Sequence, residues 1–91
     1  MASATAAITA TGTAVTTQAR LLHVLARQTA TAGTVIFRDG GATGTVLLTM
    51  YTAASVTLMA SLAIPGGGIQ FGTDVHVTLT NVDGLTVIYD T

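Results

Sequence analysis

Apolar and polar positions alternate with a period of two inside short runs along this chain. Glycine or aspartate-glycine breaks those runs at intervals of roughly 8–12 residues, the spacing of an all-β domain. The runs predict strands over residues 14–17, 20–27, 34–38, 45–51, 55–62, 68–71, 75–80 and 85–89. About eight strands is the number of an antiparallel β-sandwich or jelly roll. Asp39-Gly40-Gly41 and Asp83-Gly84 are expected turns, because their residues tolerate the positive φ that tight hairpins require. Pro65 with Gly66, Gly67 and Gly68 reads as a loop, since proline ends any strand reaching Ile64. Residues 1–11 hold small alanines and threonines with only Ile8 as a large side chain. They are expected to form a flexible N-terminal arm, or one that orders only against a neighbour, ahead of a single sandwich domain over residues 12–91.

The strands differ in how many apolar faces they carry. Val75, Val77 and Leu79 alternate with His76, Thr78 and Thr80, and Val56, Leu58, Ala60 and Leu62 alternate with Thr57, Met59 and Ser61. Each therefore turns one greasy side to a core. Two segments are apolar on both sides. Leu21 and Leu25 oppose Leu22 and Val24, and Val46, Leu48 and Met50 oppose Leu47 and Tyr51. A strand apolar on both faces needs a cover besides its own opposing sheet, and in a chain this short the expected cover is another subunit. Leu21, Leu22, His23, Val24, Leu47 and Tyr51 are thus the expected contact residues, with Arg20 and Arg27 as anchors able to pair with aspartates across a boundary.

Composition strengthens the expectation of association. The 91 residues are 49% hydrophobic and only 8% charged, with three arginines, four aspartates and no lysine, glutamate or cysteine. A domain this small starts with a thin core, and without disulfides or a dense set of metal ligands its usual remaining reinforcement is oligomerisation. Threonine, the commonest residue, suits the pleat and hydrates without charge, so such a surface can pack on copies of itself without ion desolvation. A formal net charge of −1 gives no pull toward nucleic acid or anionic lipid, and no nucleic-acid or membrane partner is expected. The N-terminus lacks the basic and continuous apolar regions of a secretory signal.

Chemistry-bearing residues are sparse. Asp74 and His76 share a face of a regular strand, yet two ligands fall short of the three or four a protein metal site needs. Gly40-Gly41-Ala42-Thr43-Gly44 has no following lysine and joins two strands, so it is not a phosphate loop. Ser3, Ser55 and Ser61 occur in no nucleophile-elbow motif, and no cysteine nucleophile exists. The expectation is a non-enzymatic protein with no catalytic residues, no metal and no cofactor.

The run Ile64-Pro65-Gly66-Gly67-Gly68-Ile69-Gln70-Phe71-Gly72, then Val75-His76-Val77, then Leu85-Thr86-Val87-Ile88-Tyr89 is similar to the closing pattern of small tailed-phage virion structural proteins. There a proline-glycine turn leads to a short strand, a glycine, a further strand and a last strand ending Val-x-Tyr. The resemblance spans residues 20–89 and implies β-sandwich subunits gathered about a symmetry axis of a phage particle. A capsid decoration or cement protein is the first role it implies, a homo-oligomer, in preference a trimer, bound to the major capsid protein or another virion protein. The alternative is a head-tail or tail-fibre module that binds a host surface. Either implies a protein made in the host cytoplasm and located in the virion.

Overall fold

The computed structural model describes residues 3–54, 59–64 and 66–90, which form an all-β sandwich. Its strands are β1 (Ser3–Ile8), β2 (Gly12–Val15), β3 (Ala19–Gln28), β4 (Gly33–Asp39), β5 (Thr45–Thr52), β6 (Met59–Ala63), β7 (Ile69–Phe71), β8 (Val75–Thr80) and β9 (Val82–Asp90). One sheet has the order β1-β9-β3-β6, with β7 also paired to β3, and the other has the order β2-β8-β4-β5. All ladders are antiparallel, and the pairing is nested: β1 with β9, β2 with β8, β3 with β6 and β7, β4 with β5. A long ribbon folded on itself and wrapped across two sheets gives this order, which is that of a jelly roll.

Side-chain alternation places the core between the sheets. Phe37, Phe71, Leu21, Val24, Val35, Val75, Val77 and Val87 are fully buried there. The first sheet reaches this alternation through an irregularity. In β3 the register against β9 slips between Leu21 and His23, which leaves Leu22 as an extra residue. Ala19 and Leu21 face the core before the bulge, and Val24, Ala26 and Gln28 face it after. A bulge shifts side-chain parity by one. The slip therefore puts Leu21 and Val24, which strict alternation would set on opposite faces, together on the inner face under the chain's own second sheet, and leaves Leu22 and Leu25 outside.

The opposite strand accommodates the bulge. β6 pairs with β3 up to Ala63 opposite His23, the Ile64 amide donates to the Leu22 carbonyl at 3.1 Å, and β7 resumes with Ile69 opposite Leu21. Between them Gly66, Gly67 and Gly68 all have positive φ. A Cβ on Gly68 would lie 2.5 Å from the Leu21 carbonyl oxygen, so both the backbone angle and the space call for glycine.

Two expectations are corrected. The stretch expected as a flexible arm contains β1, an edge strand paired with β9 from Ser3 opposite Asp90 to Ile8 opposite Leu85. The edge of β9 offers a ladder, and Ala6 and Ile8 pack against the core, which supplies the anchor that the small side chains seemed to lack. The Asp83-Gly84 turn does not form either; both residues continue β9, with Gly84 opposite Arg27. The chain turns instead at Asn81 (φ 56°), the single residue between β8 in one sheet and β9 in the other. Asparagine tolerates this left-handed conformation. Its side-chain amide donates to the Ala32 carbonyl at 3.2 Å, and its own carbonyl accepts from the Thr29 hydroxyl at 3.1 Å. The expected strand over 55–62 is described from Met59 onward; residues 55–58 and Pro65 lie outside the described residues.

Candidate association surface

β5 is the outer strand of its sheet, paired with β4 on one side. Its inward residues are Leu48, which packs against the core, Met50 and Thr52; the Thr52 hydroxyl accepts from the Gly33 amide at 3.0 Å. The register against β4 slips between Phe37 and Arg38: Phe37 opposes Leu48 and Arg38 opposes Val46, leaving Leu47 as a bulged residue. Val46 and Leu47 are consequently both exposed, at 48% and 37%, and Tyr51 is 78% exposed. Among the described residues these three are the exposed large hydrophobics, and all of them stand on one strand. The strand itself, TVLLTMYT, carries no charge and no proline.

The residues expected at a contact separate into distinct places. Leu21 and Val24 are fully buried inside the chain, so neither can meet a partner; the Leu22 bulge is the physical reason. Leu22 and His23 are half-buried on the first sheet, and Arg20 and Arg27 are exposed there. Leu47 and Tyr51 are exposed on β5 of the other sheet. Val46, which strict alternation would put on the same face as Leu48 and Met50, belongs with the exposed pair. Only the bulge puts it there, and no residue type in 45–52 signals that bulge.

The outer face of the first sheet carries a shallow hollow of about 270 Å³ lined by Ala7, Leu25, Arg27, Gly84 and Thr86 among others. Gly84 leaves this gap because it contributes no side chain. On the same sheet His23 Nε2 and Ser61 Oγ are hydrogen-bonded at 2.8 Å, a pair that the separation of 38 residues concealed. Ser61 opposes Leu25 and so sits diagonally from His23 across the β3–β6 ladder. Among the described residues no carboxylate hydrogen-bonds to the ring, and the pair lies on a strand surface whose amides serve the ladders. It lacks the third member and the oxyanion donors of a hydrolytic site.

A second polar feature ties two loops together. The Asp39 carboxylate accepts from the amides of Thr73 (2.8 Å), Gly72 (3.1 Å) and Asp74 (3.4 Å). Asp74 Oδ1 in turn accepts from the amides of Gly40 (3.0 Å) and Gly41 (3.1 Å). Gly40 and Gly41 have positive φ and close the β4–β5 hairpin, as the sequence predicts. The Thr73 amide foremost, then that of Gly72, holds the Asp39 carboxyl below its ordinary 3.8. Asp74 therefore serves the hairpin backbone and is not paired with His76. His76 is 8% exposed, opposite Arg38 on β4, and neither His76 Nδ1 nor Arg38 Nε has a hydrogen-bond partner among the described residues. No group of three potential metal ligands occurs among the described residues.

In comparisons with known proteins, no family model matches the chain, and no curated protein or solved structure is significantly similar to it.

Proposed function

We propose that this chain is a non-enzymatic structural protein of a phage particle, a capsid decoration or cement protein that binds the shell as a homo-oligomer and stabilises it. The observation that carries the proposal is the concentration of exposed apolar side chains, Val46, Leu47 and Tyr51, on one uncharged edge strand. A long apolar edge without charged gatekeepers invites pairing with other chains, so a protein that keeps one has a use for it or aggregates. The jelly roll, an architecture that recurs in viral capsid and lectin domains, and the resemblance that residues 20–89 bear to small tailed-phage virion proteins in their closing pattern both favour a particle component. The mechanism is mass action. A protein that binds only the assembled shell stabilises it by its binding free energy, and many copies with modest contacts add up by avidity.

The test is binding of purified protein to shells that lack it. Saturable co-sedimentation in proportion to the capsid lattice, with a raised melting temperature of the shell, is the expected result. Absence of binding to every particle form would refute it. Tyr51, the most exposed aromatic among the described residues, favours the second reading, a head-tail or tail-fibre module that contacts a host surface. That role gives a small fixed number of copies at one vertex, and loss of adsorption without loss of shell stability when the protein is removed.

A further inference from the structure

Four strand edges bound the two sheets, and they are not equivalent as templates. β2 is four residues long, and the β6–β7 edge is interrupted by the loop carrying Gly66, Gly67 and Gly68. β1 presents only alanine, threonine and serine besides Ile8, which packs inward. β5 is eight residues long and carries the exposed apolar side chains. Along an antiparallel edge strand, alternate residues point their N–H and C=O groups away from the sheet, free to extend the ladder.

The geometry points to a second copy of this chain as the occupant: two β5 strands pair antiparallel about a two-fold axis at Thr49, joining two four-stranded sheets into one of eight. This deepens the self-association part of the proposed function and rests on it. Three observations choose a second copy. An uncharged strand meets its own image without repulsion, which a strand bearing like charges would not. In an antiparallel pair centred on Thr49, Leu47 of one copy lies opposite Tyr51 of the other and Thr49 lies opposite itself, so Leu47 and Tyr51 cover each other, while Val46 falls opposite the inward Thr52. The seven residues that this axis pairs, Val46 to Thr52, give a contact ~24 Å long at ~3.4 Å each. With a flank as deep as the 19 Å short dimension of the fold, about 450 Å² per copy is covered, about 900 Å² in all, the size of a weak, reversible interface.

The absence of cysteine makes the test direct. In the proposed pairing the two Thr49 Cα atoms are ~4.5–5.5 Å apart, inside the range a disulfide spans. Thr49→Cys should therefore form a disulfide-linked dimer under mild oxidation at micromolar concentration at least ten times faster than Thr5→Cys, an exposed position on β1. Thr49→Lys, which places two like charges on the axis, should weaken self-association of the intact chain at least tenfold by sedimentation velocity, with its melting curve confirming that it folds. Cross-linking of Thr49→Cys no faster than of Thr5→Cys overturns the pairing, and so does an association unaffected by Thr49→Lys or a monomeric unmodified chain. Shell binding by a chain that fails these tests would overturn this interface while leaving the particle role standing.

Discussion

Leu21 and Leu47 look alike in the sequence, each a leucine in a strand apolar on both sides, yet the fold gives them opposite fates. Leu21 is fully buried among the core valines and phenylalanines, and Leu47 is 37% exposed at a bulge on the edge. Truncating a buried leucine to alanine loses its transfer free energy and leaves a cavity, together about 2–5 kcal/mol. The bulge at Leu22 and the loop at Gly68 hold the backbone around Leu21 on both sides, which limits collapse into the gap and favours the upper half of that range. A domain of this length has a total stability of roughly 5–14 kcal/mol, so Leu21→Ala removes a large share of it. At ~4–8 °C per kcal/mol its melting temperature should fall by at least ~10 °C. Leu47→Ala should cost under ~1 kcal/mol in a dilute, dissociated sample, yet should reduce self-association. Urea titrations at two protein concentrations separate the effects: Leu21→Ala lowers the midpoint at both, and Leu47→Ala lowers it only where the unmodified chain is associated. Equal midpoint losses for the two variants in the dilute sample would refute the assignment of Leu21 to the core and Leu47 to the surface.

Other perturbations follow from the same fold. The folded-state pKa of Asp39 lies below its ordinary 3.8, so the unfolded chain binds more protons between those two values. The resulting stabilisation is fully present above about pH 5 and is lost as pH falls through the folded pKa. In urea midpoints measured from pH 2 to 6, Asp39→Asn should flatten the acid limb; an unchanged slope would mean that the Thr73 and Gly72 amides do not hold the carboxylate in solution. A Cβ on Gly33 would overlap the Thr80 carbonyl oxygen and crowd Asn81, whereas a Cβ on Gly12 would meet nothing within 4 Å. Gly33→Ala should therefore destabilise by about 2–3 kcal/mol, and Gly12→Ala should be within about 1 kcal/mol of neutral or stabilising, as thermal melts will show. Thr49→Cys and Thr49→Lys report on the β5 edge as described above.

Period-two alternation and glycine punctuation make the all-β class and most strand positions legible in the sequence, but the count falls one short, about eight against nine, because β1 reads as an arm. Val75, Val77 and Leu79 face the core as their spacing demands, and the Asp39-Gly40-Gly41 hairpin closes as its residue chemistry requires. Bulges were not legible. A one-residue slip leaves no compositional mark at Leu22 or Leu47, yet it turns Leu21 and Val24 inward together and exposes Val46 beside Leu47. Pairing partners far apart in the chain were equally hidden. β1 reads as a weak segment because its strength lies in the edge of β9, and the Asp39 and Asp74 carboxylates read as isolated because the amides they bind belong to a loop more than thirty residues away. Asn81 outcompeted Asp83-Gly84 for the turn because the chain must change sheets there, a demand of topology and not of local propensity.

Hydrogen–deuterium exchange, resolved by strand and followed as a function of protein concentration, probes the open edge without altering a residue. At high concentration the outward amides of β5 should exchange as slowly as those of the interior strands β3 and β8, and on dilution they alone should quicken to edge-strand rates. If β5 exchanges at the same fast rate at every concentration, or if protection appears on another edge, the strand does not serve as the seam between copies.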